Sequence, residues 1–191
     1  HPMVLGHEVA GRVTALGEGV RGLDLGQAVT FQPAQLVGDG VMPERLAGRT
    51  NLYPQVRYFG SAAFDPHTDG GFSELRAVRA EQVRPLPDPV STRRGALAEP
   101  LAVALHAVGL AGDIAGKRVL VIGAGPIGLL VLAAAIDAGA AAVGASDVRE
   151  EALRRAETLG ASELLLVGRD AIADESFDVV FECSGAPVAL T

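Results

Sequence analysis

This sequence has a single cysteine, no excess of positive charge and no long apolar run. Cys183 is the only cysteine in 191 residues, so the chain has neither an internal disulfide nor a metal site built from cysteines alone. The formal net charge of −7 argues against a nucleic-acid-binding surface. Gly, Asp or Pro interrupts the longest apolar stretches before they reach about 20 residues, the length of a membrane-spanning helix.

The remaining composition is that of a globular soluble protein, with 49% hydrophobic and 20% charged residues. The length suits one domain and part or all of a second. Because the chain begins with His1 rather than Met, we expect a fragment or a processed chain. No signal peptide is visible, and we expect a cytoplasmic protein.

One glycine-rich motif organises the C-terminal half. The β-branched, apolar run Arg118–Ile122 predicts a buried strand, and it ends in a G-x-G-x-x-G sequence at 123–128. Apolar residues then recur at helical spacing over 126–138. A strand, this glycine pattern and a helix in succession predict a dinucleotide-binding turn.

Each position of the motif has a physical role in that prediction. Gly123 allows the tight turn, Gly125 lets the backbone approach a pyrophosphate, and Gly128 lets the helix pack against the strand. Pro126 suits the first helical turn, and Ile127 begins the apolar face of the helix. The free N–H groups of the helix would face the phosphates.

The second strand, predicted at 141–146, leads to a candidate cofactor-selecting pair. Asp147 lies at its end, where a carboxylate accepts hydrogen bonds from the adenosine ribose and repels a 2′-phosphate. We therefore expect NAD to be preferred over NADP. Arg149 is two residues further on and would pair with a phosphate, so NADP remains possible.

The two halves of the chain predict an α/β protein with two domains. After a boundary near residue 100, the pattern is β-α-β-α-β-β, which predicts a partial doubly wound parallel sheet at 101–191 with its C-terminal part missing. Residues 1–100 read as β-rich, with helices from Ser91 to Ala98 and from Pro100 to Leu110. The segment 33–57 has no period and is predicted to be a long surface loop. Strands are expected at Val9–Leu16, Ala28–Phe31, Phe72–Val78, Glu81–Arg84, 163–167 and 178–182.

Candidate metal-ligating residues are spread along the first hundred positions. His7 and Glu8 would reach one metal ion from a turn, or would be incidental polar residues on the surface. Glu99 would face that ion or would cap the helix that follows. His67 and Asp69 are either a ligand pair or the decoration of a turn.

Two further reactive side chains are expected to be structural. His106 lies within an apolar helix, which favours a histidine satisfied in the core over a ligand. Cys183 follows the last predicted strand, and no base is placed beside it, so we expect a buried residue rather than a nucleophile.

Four separated motifs together resemble the zinc-dependent medium-chain alcohol and polyol dehydrogenases, particularly the sorbitol-dehydrogenase branch. The resemblance covers nearly the whole chain, although full-length members are longer at both ends. It rests on PMVLGHEVAGRVTALGEGV, GGFSE, LAEPLAVALHAV and VIGAGPIG, in that order.

The resemblance implies a partial GroES-like catalytic domain at 1–100, before the partial Rossmann domain. It implies hydride transfer between a polyol or sugar acid and a nicotinamide cofactor, beside one catalytic zinc. His7 and Glu8 would be zinc ligands, Glu99 would face the zinc and the substrate, and Phe59 would line the substrate pocket. The cysteine ligand and the proton relay of the family lie upstream of His1 and are absent from this sequence.

Where many relatives hold a second, structural zinc through four cysteines, this chain has none. Asp39, Met42, Arg45 and Tyr53 occupy roughly those positions, so we expect no structural zinc. The resemblance also implies a homo-oligomer when full length. The alternative is a zinc-free relative, either quinone-reductase-like or a non-catalytic dinucleotide-binding protein.

Overall fold

The structure is a computed structural model, and it describes residues 2–37, 41–53, 55–63 and 65–190. The chain divides into two compact units, residues 1–99 and 100–191. No helix among the described residues has both the length and the hydropathy needed to cross a membrane.

The first unit is built from short antiparallel strands. Strand β2 lies between β1 and β5 in one sheet, and β3 pairs with β4 in a second. Single 3₁₀ turns fall at Glu44–Leu46, Thr50–Leu52 and Ala80–Gln82. The strands are β1 (Ala10–Arg12), β2 (Ala28–Phe31), β3 (Ala34–Leu36), β4 (Val56–Tyr58) and β5 (Val83–Pro85).

Two helices follow these strands. Helix α1 (Thr92–Gly95) begins after Ser91, whose hydroxyl accepts a hydrogen bond from the Arg94 N–H at 3.3 Å. It packs on β1 and β2. Helix α2 (Ala98–Leu110) starts two residues before Pro100, so the proline falls in the first turn, where its missing N–H breaks no helical hydrogen bond.

The strand predictions for this unit were only partly right. Ala28–Phe31 is confirmed as β2, whereas the strand predicted from Val9 to Leu16 is reduced to the three residues of β1. Phe72–Val78 is not a strand. Its first N–H group, that of Phe72, donates to the Leu5 carbonyl at 3.0 Å, so its backbone bonds to a loop rather than to a ladder.

The long loop predicted at 33–57 is also wrong in part, because it contains β3 and β4. Their register pairs Ala34 with Tyr58 and Leu36 with Val56. Tyr53 is only 5% exposed and so anchors the segment by packing. Asp39, one of the positions compared with zinc-ligating cysteines, lies outside the described residues.

The second unit is a four-stranded parallel sheet in the order β8-β7-β6-β9, which confirms the predicted Rossmann-type architecture. Helix α3 (Pro126–Asp137) connects β6 to β7, and α4 (Glu150–Thr158) connects β7 to β8. A 3₁₀ turn at Pro187–Leu190 follows the sheet. The strands are β6 (Arg118–Ile122), β7 (Ala142–Asp147), β8 (Glu163–Leu166) and β9 (Val179–Glu182).

The core of this unit surrounds β6. Val119, Leu120 and Val121 are each at most 2% exposed, so successive side chains, which point to opposite faces, are all buried. This pattern is expected for a parallel strand covered on both faces. Val131 and Leu132 of α3 belong to one buried cluster with Val119 and Val121.

The glycine-rich turn depends on two backbone contacts. A Cβ atom on Gly128 would lie 1.8 Å from the Gly123 carbonyl oxygen, so only glycine lets the helix approach the turn this closely. Gly123 has φ +91°, and a Cβ atom there would lie 2.7 Å from the Ser184 nitrogen. A Cβ atom on Gly125, in contrast, would meet nothing within 4 Å.

This difference predicts that two alanine substitutions in the same motif change stability by unequal amounts. Gly128→Ala should lower the free energy of unfolding by about 3 kcal/mol, because the added methyl group must push the helix away from the turn. Gly125→Ala should change it by less than about 1 kcal/mol. Urea denaturation followed by circular dichroism measures both. Equal stability of the two variants would contradict the packing argument.

Candidate active site and cofactor loop

The residues just before His7 are held by backbone hydrogen bonds to a distant loop. The N–H groups of Gly70, Gly71 and Phe72 donate to the carbonyls of Val4, Gly6 and Leu5 at 2.7, 2.8 and 3.0 Å. The Asp69 carboxylate accepts a further bond from the Val4 N–H at 3.0 Å. Because this ladder ends one residue before His7, it fixes the backbone from which the candidate ligands project.

Glycines make this contact possible. A Cβ atom on Gly70 would lie 2.4 Å from the Gly6 oxygen, and one on Gly60 would lie 2.7 Å from the Gly6 nitrogen. Gly6 itself has φ +95°, and a Cβ atom there would overlap the Phe72 ring at 2.2 Å. Three chain segments therefore meet backbone to backbone beside His7.

The structure brings His7, Glu8 and Glu99 together. One potential ligand atom from each lies within 4.8 Å of the other two. His7 and Glu99 are partly buried, whereas Glu8 is exposed. His67 and Asp69 do not belong to this cluster, and the contact of Asp69 with Val4 gives that carboxylate a structural role.

Tyr58, at the end of β4, is the aromatic residue of the cluster, and sequence reasoning missed it. Its hydroxyl donates a hydrogen bond to Glu99 Oε1. Its ring meets the His7 ring edge-on, with centroids 5.1 Å apart and an interplanar angle of 80°. Burial, the hydrogen bond to Glu99 and the charges of Glu99 and Glu8 raise the pKa of Tyr58 well above its usual value, so the phenol stays a donor.

Phe59, the residue predicted to line the substrate pocket, packs elsewhere. It is 6% exposed, its ring lies 5.0 Å from that of Phe31, and the Arg76 guanidinium lies 5.0 Å above it. A contact of Phe59 with substrate stays a prediction.

Asp147 ties the glycine-rich turn to the end of β7. Its Oδ2 accepts a hydrogen bond from the buried Ala124 N–H at 2.8 Å, and its Oδ1 accepts one from the Arg149 N–H at 2.9 Å. Asp147 is 8% exposed, whereas the Arg149 side chain is 65% exposed with its Nε 3.5 Å from Oδ1. A carboxylate has about four acceptor positions, so these bonds leave capacity for a ribose hydroxyl.

A second carboxylate organises the loop after β9. Glu182 Oε1 accepts hydrogen bonds from the Ser184 and Gly185 N–H groups at 2.7 and 3.1 Å, and it also accepts one from the Ser184 hydroxyl. These donors lower the pKa of Glu182. Because Ser184 lies against Gly123, this loop forms one side of the glycine-rich turn.

The chain is similar in sequence to known alcohol and polyol dehydrogenases. Residues 1–88 match the alcohol dehydrogenase GroES-like domain. D-xylulose reductase of Saccharomyces cerevisiae is 41% identical, over 97% of this chain and 54% of its own length. L-idonate 5-dehydrogenase (NAD(P)(+)) of Escherichia coli is 39% identical, over 97% of this chain and 54% of its own length.

The solved structures agree with the sequence relatives. The crystal structure of L-idonate 5-dehydrogenase from Escherichia coli matches with a TM-score of 0.89 at 38% identity, over 98% of this chain and 55% of that one. The chain is thus similar over nearly its whole length to the medium-chain alcohol and polyol dehydrogenases, which confirms the resemblance carried by its motifs. It spans about half the length of the family members it matches.

A further solved structure that matches this fold holds a nicotinamide cofactor. The structure of a zinc-binding dehydrogenase from Sinorhizobium meliloti bound to NADP matches with a TM-score of 0.89 at 36% identity. It covers 99% of this chain and 56% of that one.

Two expectations for reactive side chains have different outcomes in this chain. His106 is exposed on α2, so the core histidine predicted there is wrong. The apolar residues around it do not imply burial, since Val103 and Leu105 are also about half exposed, at 49% and 50%. Cys183 is partly buried, and this burial raises the pKa of its thiol, which favours the unreactive protonated form.

The role of Asp147 as a brace predicts a stability effect that does not need cofactor. Asp147→Ala should lower the free energy of unfolding by about 2 kcal/mol, because the buried Ala124 N–H loses a charged acceptor. The control is Glu151→Ala, which removes an exposed i,i+4 ion pair with Arg155 and should cost about 0.5 kcal/mol or less. Urea denaturation without NAD(H) measures both, and equal effects would rule out the brace.

Proposed function

We propose that this chain carries part of the metal site and part of the cofactor site of a zinc-dependent oxidoreductase of the medium-chain family. The reaction is hydride transfer between a secondary alcohol of a polyol or sugar acid and a nicotinamide cofactor. The observation that carries the proposal is the convergence of His7, Glu8 and Glu99 within 4.8 Å. The names of the relatives, D-xylulose reductase and L-idonate 5-dehydrogenase, support a polyol or sugar-acid substrate, and the second also favours carbohydrate metabolism.

The chemistry of these three side chains suits zinc. An imidazole nitrogen and carboxylate oxygens are ordinary zinc ligands, and the family resemblance adds a cysteine ligand that is absent from this sequence. In the part of the chain that the structure describes, neither Glu8 nor Glu99 forms an ion pair with Arg or Lys. Two neighbouring carboxylates without a basic partner favour a divalent cation.

A zinc ion held there would act as a Lewis acid, stabilising the negative charge that develops on an alcohol oxygen as its proton leaves. The protein's own contribution is positional. The ladder to Gly70 and Phe72 fixes the backbone leading to His7, and the Tyr58 ring limits the rotation of the imidazole. The ligands are therefore organised before the cation arrives, which reduces the entropy lost on binding.

The second unit would bind the nicotinamide cofactor through the turn at 123–128. The open space beside Gly125 suits a pyrophosphate. The first turn of α3 offers free N–H groups to it from Ile127 onward, since Pro126 has none. Gly123 and Gly128 keep the turn tight. The relatives named for NAD(P)(+) or bound to NADP support a nicotinamide cofactor, and Asp147 favours NAD.

Zinc content gives the first test. The full-length protein should hold one zinc ion per chain, and His7→Ala should lose most of it together with at least about a hundredfold of the turnover, while NADH binding survives. The control is His106→Ala, which removes an exposed histidine and should keep the zinc. Elemental analysis and NADH fluorescence measure these quantities.

Each contrary result has a distinct meaning. A zinc-free wild-type protein that still binds NADH would refute the zinc enzyme in favour of a quinone-reductase-like or non-catalytic dinucleotide-binding protein. Two tightly bound zinc ions per chain would contradict the single site. Zinc retained by His7→Ala would remove this residue from the ligand set.

Cofactor choice gives the second test. The wild type should bind NADH at least about tenfold more tightly than NADPH, because the 2′-phosphate would lie against the Asp147 carboxylate. Arg149→Ala should weaken NADPH binding further and leave NADH within about twofold. The control is Arg154→Ala, whose guanidinium pairs with Glu150 on α4. Dissociation constants follow from cofactor fluorescence, and equal affinities in the wild type would refute the preference.

A further inference from the structure

Tyr58 contacts two members of the candidate ligand set. It donates a hydrogen bond to Glu99 and packs edge-on against His7. Because Glu99 accepts its hydroxyl hydrogen, the phenol acts toward the ligand set as a hydrogen-bond donor. We propose that Tyr58 is a positioning residue, which holds the Glu99 carboxylate in the orientation that a divalent cation needs. This inference rests on the proposed function.

The position of Tyr58 in the fold makes it suited to this task. It is the last residue of β4, and its backbone is paired with Ala34 of β3. The next residue, Phe59, is buried between Phe31 and Arg76. The hydroxyl is therefore presented from a braced backbone, and a side chain on a fixed element places its hydrogen-bonding group more reproducibly than one on a loop.

The hydrogen bond changes what Glu99 can do. A partly buried glutamate with no partner samples several rotamers, and a ligand must lose that freedom when it binds a cation. The phenol takes one lone pair of Oε1, so the carboxylate is fixed while acceptor positions remain on both oxygens. Partners of this kind, which orient a ligand from behind, typically change metal affinity by 10- to 100-fold.

The edge-on contact with His7 makes a second contribution that can be separated from the first. The ring packing needs only the aromatic ring, whereas the orientation of Glu99 needs the hydroxyl. Tyr58→Phe removes the second and keeps the first, so this substitution tests the hydrogen bond alone. The chain has one other tyrosine, Tyr53, which is buried in the same unit and supplies a control.

The experiment is a double-mutant cycle on zinc affinity in the full-length protein, measured by competition with a chromogenic chelator. Tyr58→Phe should weaken zinc binding by about tenfold, and Tyr53→Phe should change it by less than about twofold. In a Glu99→Gln background, adding Tyr58→Phe should change the affinity by less than about twofold. That loss of effect is expected only if Tyr58 acts through the Glu99 carboxylate.

Circular dichroism of every variant keeps a folding defect from being mistaken for the expected result. Unchanged zinc affinity in folded Tyr58→Phe would overturn the inference, and so would an equal loss in the presence and absence of the Glu99 carboxylate. A raised KM for substrate with normal zinc affinity would also overturn it and would assign the hydroxyl to the substrate. These failures differ from that of the proposed function, in which the wild type itself binds no zinc.

Discussion

The candidate metal centre depends on a backbone contact that tolerates only glycine. Gly60 and Gly70 each lie so close to Gly6 that a single added carbon would overlap its backbone. The contact lets loops from three parts of the first unit share hydrogen bonds, and it places His7 at the end of that ladder. A unit whose strands are three or four residues long has little sheet rigidity to offer, so the loops themselves must be stiff.

Close backbone contacts through glycine also make the glycine-rich turn of the second unit stiff. Gly123 and Gly128 allow the close approach, and an aspartate accepts a hydrogen bond from a backbone N–H group in each unit. Asp147 binds the Ala124 N–H, as Asp69 binds that of Val4. An aspartate next to glycines in a sequence can therefore brace a loop as well as bind a metal. Asp69 braces a loop, because it accepts a hydrogen bond from the Val4 N–H.

Sequence predicted the second unit better than the first, for a physical reason. Its strands and helices are long enough to show their periods, so α3 and β6 appear within about one residue of their predicted limits. The partner of β3 lies about twenty residues away, and no local period identifies so short a pair. Tyr58 escaped notice for the same reason, because its contacts with His7 and Glu99 are each separated by more than forty positions.

The sequence did predict the three acidic and basic members of the cluster, since G-H-E and E-P are compact motifs. The sequence could not show whether a charged basic side chain lies near the two carboxylates of the cluster. Glu8 and Glu99 bring two negative charges close together, and the phenol of Tyr58, which donates to Glu99, carries no charge to offset them. Like charges held close together oppose folding unless a proton or a cation intervenes. Among the residues that the structure describes, the cluster therefore joins two carboxylates without a charged basic partner, and the proposed cation site rests on this arrangement.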